Sequence, residues 1–556
     1  MRRSPLPTRG RRDLVLSTGI ALLVVLLSAC RERVTIIAAP GQQTVINADP
    51  GRVEIAPPPK DSAFVFRALP TWSGLAEIGD GQGLSFVDAD RDGALDVVVG
   101  MGQGTVVYRN RGDGSFYPLW RVDHPGRDAA FVFVADITAD GIDDLVITHA
   151  NALPDAAVGD GVGRFHLRPE LLRPMAAAGF PSSVTFGDFT GAGRLDVYLG
   201  ILGPFDALEM SEDGSTLILC EDLQAWLDDP IRGDPVGDQL LRFDPETEAF
   251  IDVTAGAGLN TPRLETQALM TVDLNDDGHL DILVGSEGQD YDRVYLGDGT
   301  GKFEEASTRL GITKRTSAMG FDAADIDGDG DLDLYITDDH PRDGGILYVQ
   351  RGGKFTEEAA SHGLKSTAEM TGWGLAFEDF DQDGDVDLFQ ANGTPFGGCV
   401  SGAQEKAFFL NDGKGQFTQV HGAPGSGIQL LTESRGLVVG DTDGDGDLDL
   451  VVSNFDAPPT ALRNDLAVGH WIAFELDYPG IRPAIGSVVT IESGGREQKR
   501  WVKGTANWGG SSTQRVHFGL GEHTQIDSVT VRWPHGEVDE LGAHAADQVV
   551  RIARQK

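Results

Sequence analysis

The chain is predicted to be all-β: a seven-bladed β-propeller followed by a small β-sandwich or barrel. Three observations predict this. An acidic loop of nine residues, with glycine at its sixth position, recurs seven times. Each copy is flanked by short apolar and β-branched runs, such as Leu84-Ser-Phe-Val before the first and Val97-Val-Val after it; that is strand chemistry bounded by turn residues. The first aspartates of successive copies lie 48, 52, 85, 52, 54 and 62 residues apart, and a period near fifty points to propeller blades or an array.

Taken in order, the first loop carries Asp88, Asp90, Asp92 and Asp96 at positions 1, 3, 5 and 9. The second carries Asp136, Thr138, Asp140 and Asp144; the third Asp188, Thr190, Ala192 and Asp196; the fourth Asp273, Asn275, Asp277 and Asp281. The fifth has Asp325, Asp327, Asp329 and Asp333, the sixth Asp379, Asp381, Asp383 and Asp387, and the seventh Asp441, Asp443, Asp445 and Asp449. A second turn usually follows each loop, as in Leu296-Gly-Asp-Gly-Thr-Gly-Lys-Phe303, where glycine supplies the positive φ of a hairpin turn. About four strands per repeat fit a propeller blade, and closing the ring hides the sheet edges.

Oxygen ligands at alternate positions converge on a hard cation such as calcium, at about 2.3–2.6 Å. Without a cation, like charges in one short loop repel. An EF-hand requires glutamate at position 12, and that position holds Val99, Ile147, Leu199, Val284, Ile336, Gln390 and Val452; the EF-hand is excluded. Dockerin-like pairs need helices where these flanks read as strands. A calcium-binding β-roll would repeat every nine residues. Up to seven calcium sites are expected, all structural. The loop at 188–196 is the weakest or metal-free, because it keeps only two carboxylates.

Residues 1–30 read as an export signal. Five arginines precede the apolar stretch Leu14 to Leu27, which is too short to span a bilayer comfortably. Leu27-Ser-Ala-Cys30 resembles the lipobox of bacterial lipoproteins, which implies lipidation of Cys30; a plain cleaved signal is the alternative. Arg31 favours outer-membrane sorting by the same analogy. The expected location is therefore outside the cytoplasm, lipid-anchored in the bacterial outer membrane or at the cell surface. Residues 31–61 read as a Pro- and Gly-containing tether, and 62–465 as the propeller. An insertion at about 201–244 separates loops three and four. Cys220 and Cys399 could form a disulfide in an oxidising compartment; the sequence leaves open whether they meet. The formal charge of −41 argues against nucleic acid as a partner.

After Asn464 the repeat stops. Short strand signals follow, among them His470–Leu476, Arg515–Leu520 and Ser528–Trp533, and residues 466–556 read as a separate β module. The seven loops resemble the FG-GAP/VCBS repeat family, whose members are calcium-loop propellers. Gly469-His-Trp, Ile485-Gly, His517-Phe-Gly-Leu-Gly and Trp533-Pro-His-Gly resemble the ASPIC/UnbV domain that follows such repeats. Trp501, Trp508 and Trp533 read as core or hairpin aromatics before they read as a carbohydrate platform, and His470 and His517 as scaffold positions.

No nucleophile elbow, zinc-protease helix, Walker loop or dinucleotide fingerprint is present in the sequence. The expectation is a non-enzymatic, calcium-stabilised, monomeric propeller that binds an unidentified protein or glycan. The excursions around Trp226 and Cys399 are the expected recognition surface. The alternatives are a polysaccharide lyase or hydrolase, with catalytic groups drawn from Glu369, Glu433, Arg435, His340 and Arg342 in the propeller funnel, and a scaffold for surface complexes.

Overall fold

The computed structural model describes the strands Val34–Ala38 and Gln42–Ile46 and most of residues 66–554, of which 203–236 is the longest stretch outside the described residues. Cys30, Cys220, Trp226, His340, Arg342 and Cys399 also lie outside them. Residues 1–58 form one unit and 59–556 another. In the first unit the expected tether contains an antiparallel hairpin, Val34–Ala38 paired with Gln42–Ile46, whose two runs are β-branched.

The second unit contains seven antiparallel four-stranded sheets in propeller order. Blade one is Gly81–Val87, Asp96–Met101, Gly104–Asn110 and Phe116–Asp123. Blades two to six repeat this plan, starting at Ala129–Ala135, Phe180–Gly187, Thr266–Val272, Ala318–Ala324 and Gly372–Glu378. Blade seven supplies Ser434–Gly440, Asp449–Asn454 and Ala457–Asn464, and takes its outermost strand, Phe66–Ala68, from the start of the domain. The first strands of neighbouring blades touch all the way round, the seventh against the first. Phe66 seals the closure, its ring 5.5 Å from that of Phe380 and 5.2 Å from those of Phe389 and Phe408.

The insertion is narrower than the sequence suggests. It separates the second and third strands of blade three, Asp196–Leu202 and Gln239–Asp244, which pair normally across it. The apolar alternation of those strands, rather than the composition of the excursion, sets its limits.

The C-terminal module has a three-stranded sheet, in which His470–Asp477 pairs with Val516–Gly521 and, in parallel, with Gln548–Ala553. Its four-stranded sheet runs Arg496–Trp501, Val488–Ser493, Ser528–Arg532, Val538–Leu541. Phe474, Phe518, Val529, Val531 and a fully buried Trp533 make its core. Trp501 and Trp508 are buried as well, so none of the three tryptophans offers a sugar platform.

Candidate metal centres

Every acidic loop joins the first strand of a blade to the second, and all seven are built alike. The carboxylate at position 1 accepts the N–H of the glycine at position 6, at 2.6–3.2 Å. That glycine has φ between 75° and 99° in all seven copies, a conformation that penalises a Cβ. The aspartate at position 9 opens the second strand. In six loops its other oxygen accepts an N–H from the third strand at 2.8–3.0 Å. The loop is thus tied to its blade before any ion binds. Position 4 is also left-handed throughout, at Arg91, Ala139, Gly191, Asp276, Gly328, Gln382 and Gly444, a requirement that sequence reasoning missed. The signal was glycine in three of the seven copies.

Burial raises the ninth-position carboxylates. Asp96, Asp144 and Asp196 are pushed up to about 7 and Asp333 to about 8. Asp281, Asp387 and Asp449 are also raised by burial, with neighbouring aspartates adding to the effect. The first-position Asp379 rises to about 8, and Asp381 to about 6. Such groups ionise readily only beside a positive charge.

Four loops gather three carboxylates within 4.8 Å: Asp88, Asp90 and Asp92; Asp325, Asp327 and Asp333; Asp379, Asp381 and Asp387; and Asp441, Asp443 and Asp449. These are the four that carry four acids in the sequence. Among the described residues, Oδ1 of Asp88, Asp90, Asp327 and Asp379 is buried and accepts no hydrogen bond. A cation fits these donors, which are all hard oxygens. In loops five to seven the position-5 acids, Asp329, Asp383 and Asp445, each accept the N–H two residues on. Arg109 already pairs with Asp90 and Asp92 at 2.6 and 2.8 Å.

In the other three loops protein groups already meet the acids. Thr138 donates to Asp144 at 3.0 Å, and Asp140 holds the N–H of Ile142. In loop three Asp188 meets His535, Arg242 lies 3.4 Å from Asp196, and Thr190 caps Asp188. In loop four Arg532 reaches Asp273 at 3.1 Å, while Asn275 and Asp277 bond each other.

The C-terminal module contacts all seven loops. Arg515 donates to Gly93 O at 2.7 Å, Arg482 to Asp143 at 3.0 Å, His535 to Asp188 and Arg532 to Asp273. Lys499 donates to Gly330 O, Arg496 pairs with Asp385, Arg500 reaches Gly384 O, and His517 donates to Gly446 O at 3.0 Å. Burial holds His517 down at about 4, so it is a neutral donor. His470 bonds Asp547 within its own module. The signal for this docking was a run of basic residues in an otherwise acidic chain.

One segment of the module enters the propeller channel. Gly504–Ala506 adds an antiparallel strand to the innermost strand of blade four. Ser511 bonds Ser85 and Phe86 of blade one, and Thr513 bonds Val439 of blade seven. Thr185 of blade three donates to Gly504, and Lys503 pairs with Asp322 of blade five. Trp508 packs 4.7 Å from Phe131 of blade two and 5.0 Å from Trp373 of blade six. All seven inner strands therefore touch this segment. Cavities of about 90 and about 70 Å³ remain beside it, the smaller lined by Glu378, Arg500 and Lys503; substrate pockets are nearer about 300–1,000 Å³. Arg435, named above as a funnel candidate, lies on the innermost strand of blade seven and is buried, with its guanidinium 4.1 Å over Trp373.

This architecture is that of a closed propeller capped by a β module. The FG-GAP-like repeat family matches residues 88–147, 273–336 and 399–452, and the ASPIC and UnbV family matches residues 479–556. The chain carries FG-GAP-like repeats and an ASPIC and UnbV domain. It is similar to cartilage acidic protein 1 of Mus musculus, 23% identical over 373 residues that cover 56% of this chain and 57% of that protein. The Homo sapiens protein of that name matches at the same identity, over 56% of each chain. The chain spans about half the length of the curated relatives it matches. Among solved structures it is similar to an Agrocybe aegerita lectin that recognises non-reducing terminal N-acetylglucosamine, at TM-score 0.39 and 18% identity over 69% of this chain and 95% of that one. It is also similar to the extracellular domain of a putative hybrid two-component system, BT4673 from B. thetaiotaomicron, at TM-score 0.40 and 7% identity over 89% of this chain and 59% of that one.

Proposed function

We propose that this protein is a non-enzymatic, calcium-stabilised binding propeller that works outside the cytoplasm. The observation that carries this reading is the segment 503–513, which touches the inner strand of every blade. It fills the funnel in which a propeller enzyme would gather its catalytic groups. Calcium would be held by the aspartates of loops one, five, six and seven, and its role would be to neutralise buried carboxylates and fix the loops under the C-terminal module. With the loop face covered, the opposite face and the blade edges remain for a protein or glycan partner. The export signal and Cys30 support a lipid-anchored protein of the outer membrane or cell surface. No helix among the described residues is long and apolar enough to cross a membrane.

The test is a glycan array and a purified-protein binding screen on the chain from residue 31, with calcium and with chelator. Saturable binding without turnover, weakened by chelator, is the expected result. Turnover of any screened polysaccharide overturns the reading.

A further inference from the structure

Away from the acidic loops, His124, His149 and Asp155 bring three ligand atoms within 4.8 Å of one another. His149 is the last residue of the strand Asp144–His149, which begins at an acidic loop, so the cluster sits at the opposite end of the blades. His124 directly follows Phe116–Asp123, the outermost strand of blade one, and Asp155 lies in Ala152–Gly159 of blade two. The trio therefore spans the crossover from one blade to the next. All three are buried, while Pro125 beside them is exposed.

We propose that these residues form a binding site for a single zinc-type divalent cation, distinct from the calcium loops. The spacing supports it. His149 Nε2 lies 3.0 Å from Asp155 Oδ2, and His124 Nδ1 lies 3.7 Å from the same oxygen. Ligands about 2.0–2.1 Å from a tetrahedral zinc stand about 3.3 Å apart, and the two separations bracket that value. The rings of His124 and His149 lie 4.9 Å apart at 69°, so both can present a nitrogen to one point without stacking. The second ring nitrogen of His124 lies 3.2 Å from Thr105 Oγ1, the kind of outer partner that fixes a ligating imidazole. Two imidazoles and a carboxylate select zinc and its neighbours over calcium, which takes oxygen.

The trio is not part of the repeat's scaffold. The strand register places Asp155 opposite Ile147. The matching position holds Val106 in blade one, Gln239 in blade three, Arg293 in blade four and Ile346 in blade five. It holds Ala407 in blade six and Thr460 in blade seven. Blade closure thus needs no carboxylate at this position; blade seven fills the same pair of positions with a neutral bond from Asn454 to Thr460. The bland reading is a hydrogen-bonded His–Asp pair with no metal. It predicts the same contacts but no saturable affinity for a nitrogen-seeking cation.

The test titrates cobalt(II), a spectroscopic stand-in for zinc, into the metal-stripped chain in excess calcium. The calcium occupies the oxygen loops and leaves the nitrogen site open. The expected result is an intense visible band typical of four- or five-coordinate cobalt, saturating at one equivalent and abolished by one equivalent of zinc. His149→Ala removes the band, and Thr105→Val, which keeps all three ligands, weakens binding about 10–100-fold. Calcium-dependent melting of each variant reports that it is folded. Absence of a saturating band in the unaltered chain overturns the proposal, as does a band that survives in folded His149→Ala.

Discussion

His535 Nε2 lies 3.0 Å from Asp188 Oδ2, so the C-terminal module places an imidazole in the one acidic loop that has alanine at its fifth position. Each group moves the other. Burial pushes Asp188 up, but the hydrogen bond from His535 and the N–H groups of Gly193 and Ala192 outweigh it and hold Asp188 below its ordinary value. The bond to Asp188 raises His535 against the opposing effect of burial. An imidazole from the module thus satisfies the carboxylate at position 1 of this loop.

His535→Ala is therefore expected to destabilise the protein by about 1–2 kcal/mol at neutral or lower pH, the size of a partly exposed charge-assisted bond. The raised histidine gives the sign. Its stabilisation is fully present below about pH 6.5, its unfolded value, and disappears as pH rises through its folded value. Melting curves at about pH 6 and about pH 9 should show the deficit at the lower pH alone; an equal deficit at both would contradict the pairing.

Calcium removal should lower the melting temperature, with loops one, five, six and seven accounting for most of the change. A site held at about 100 times its dissociation constant contributes about 2.7 kcal/mol. Asp333→Asn and Asp387→Asn should each remove one calcium from the stoichiometry measured by calorimetry, while Asp196→Asn leaves it unchanged.

Without calcium the pH dependence should run opposite to that of an ordinary acidic protein. Asp96, Asp144 and Asp196 at about 7, and Asp333 and Asp379 at about 8, lie above the usual 3.8. Between about pH 4 and about pH 8 the folded state then binds more protons than the unfolded one, and stability falls as pH rises. Calcium needs the same carboxylates ionised, so its affinity rises across that window. Melting in chelator at about pH 5 should exceed melting at about pH 8, and calcium should close the gap.

Trp508→Ala should cost about 3–5 kcal/mol, the range for a buried aromatic, by emptying the space between Phe131 and Trp373. Because Trp508 belongs to the module and its neighbours to the propeller, the variant should also speed proteolytic release of residues 466–556. Unchanged proteolysis with lowered stability would place the loss within one domain.

The blades were legible because the repeat states its own rule. Aspartate at position 9 and glycine at position 6 are each demanded by a local bond, so the motif survives as a visible pattern. The shortage of carboxylates in loop three was legible for the same reason, since Ala192 has no ligand atom wherever it is placed. What fills the gaps was not. His535, Arg242, Arg532 and Arg109 lie far along the chain from the charges they meet or on strands whose facing side the pattern does not declare. The closing strand Phe66–Ala68 is three residues long, too short to carry a period. The His124, His149 and Asp155 cluster escaped because its residues sit at no metal spacing in sequence.

The sequence alone therefore determined the all-β class, the seven acidic loops with the carboxylates each carries, and the C-terminal module, because each of these rests on short local patterns of residues. Only the tertiary structure decided that the module covers every loop, that residues 503–513 fill the channel and that histidines of neighbouring blades converge. The contacts of the module with the loops join segments hundreds of residues apart, the histidine cluster joins two neighbouring blades, and all of them exist only once the blades have packed and brought both partners to one place.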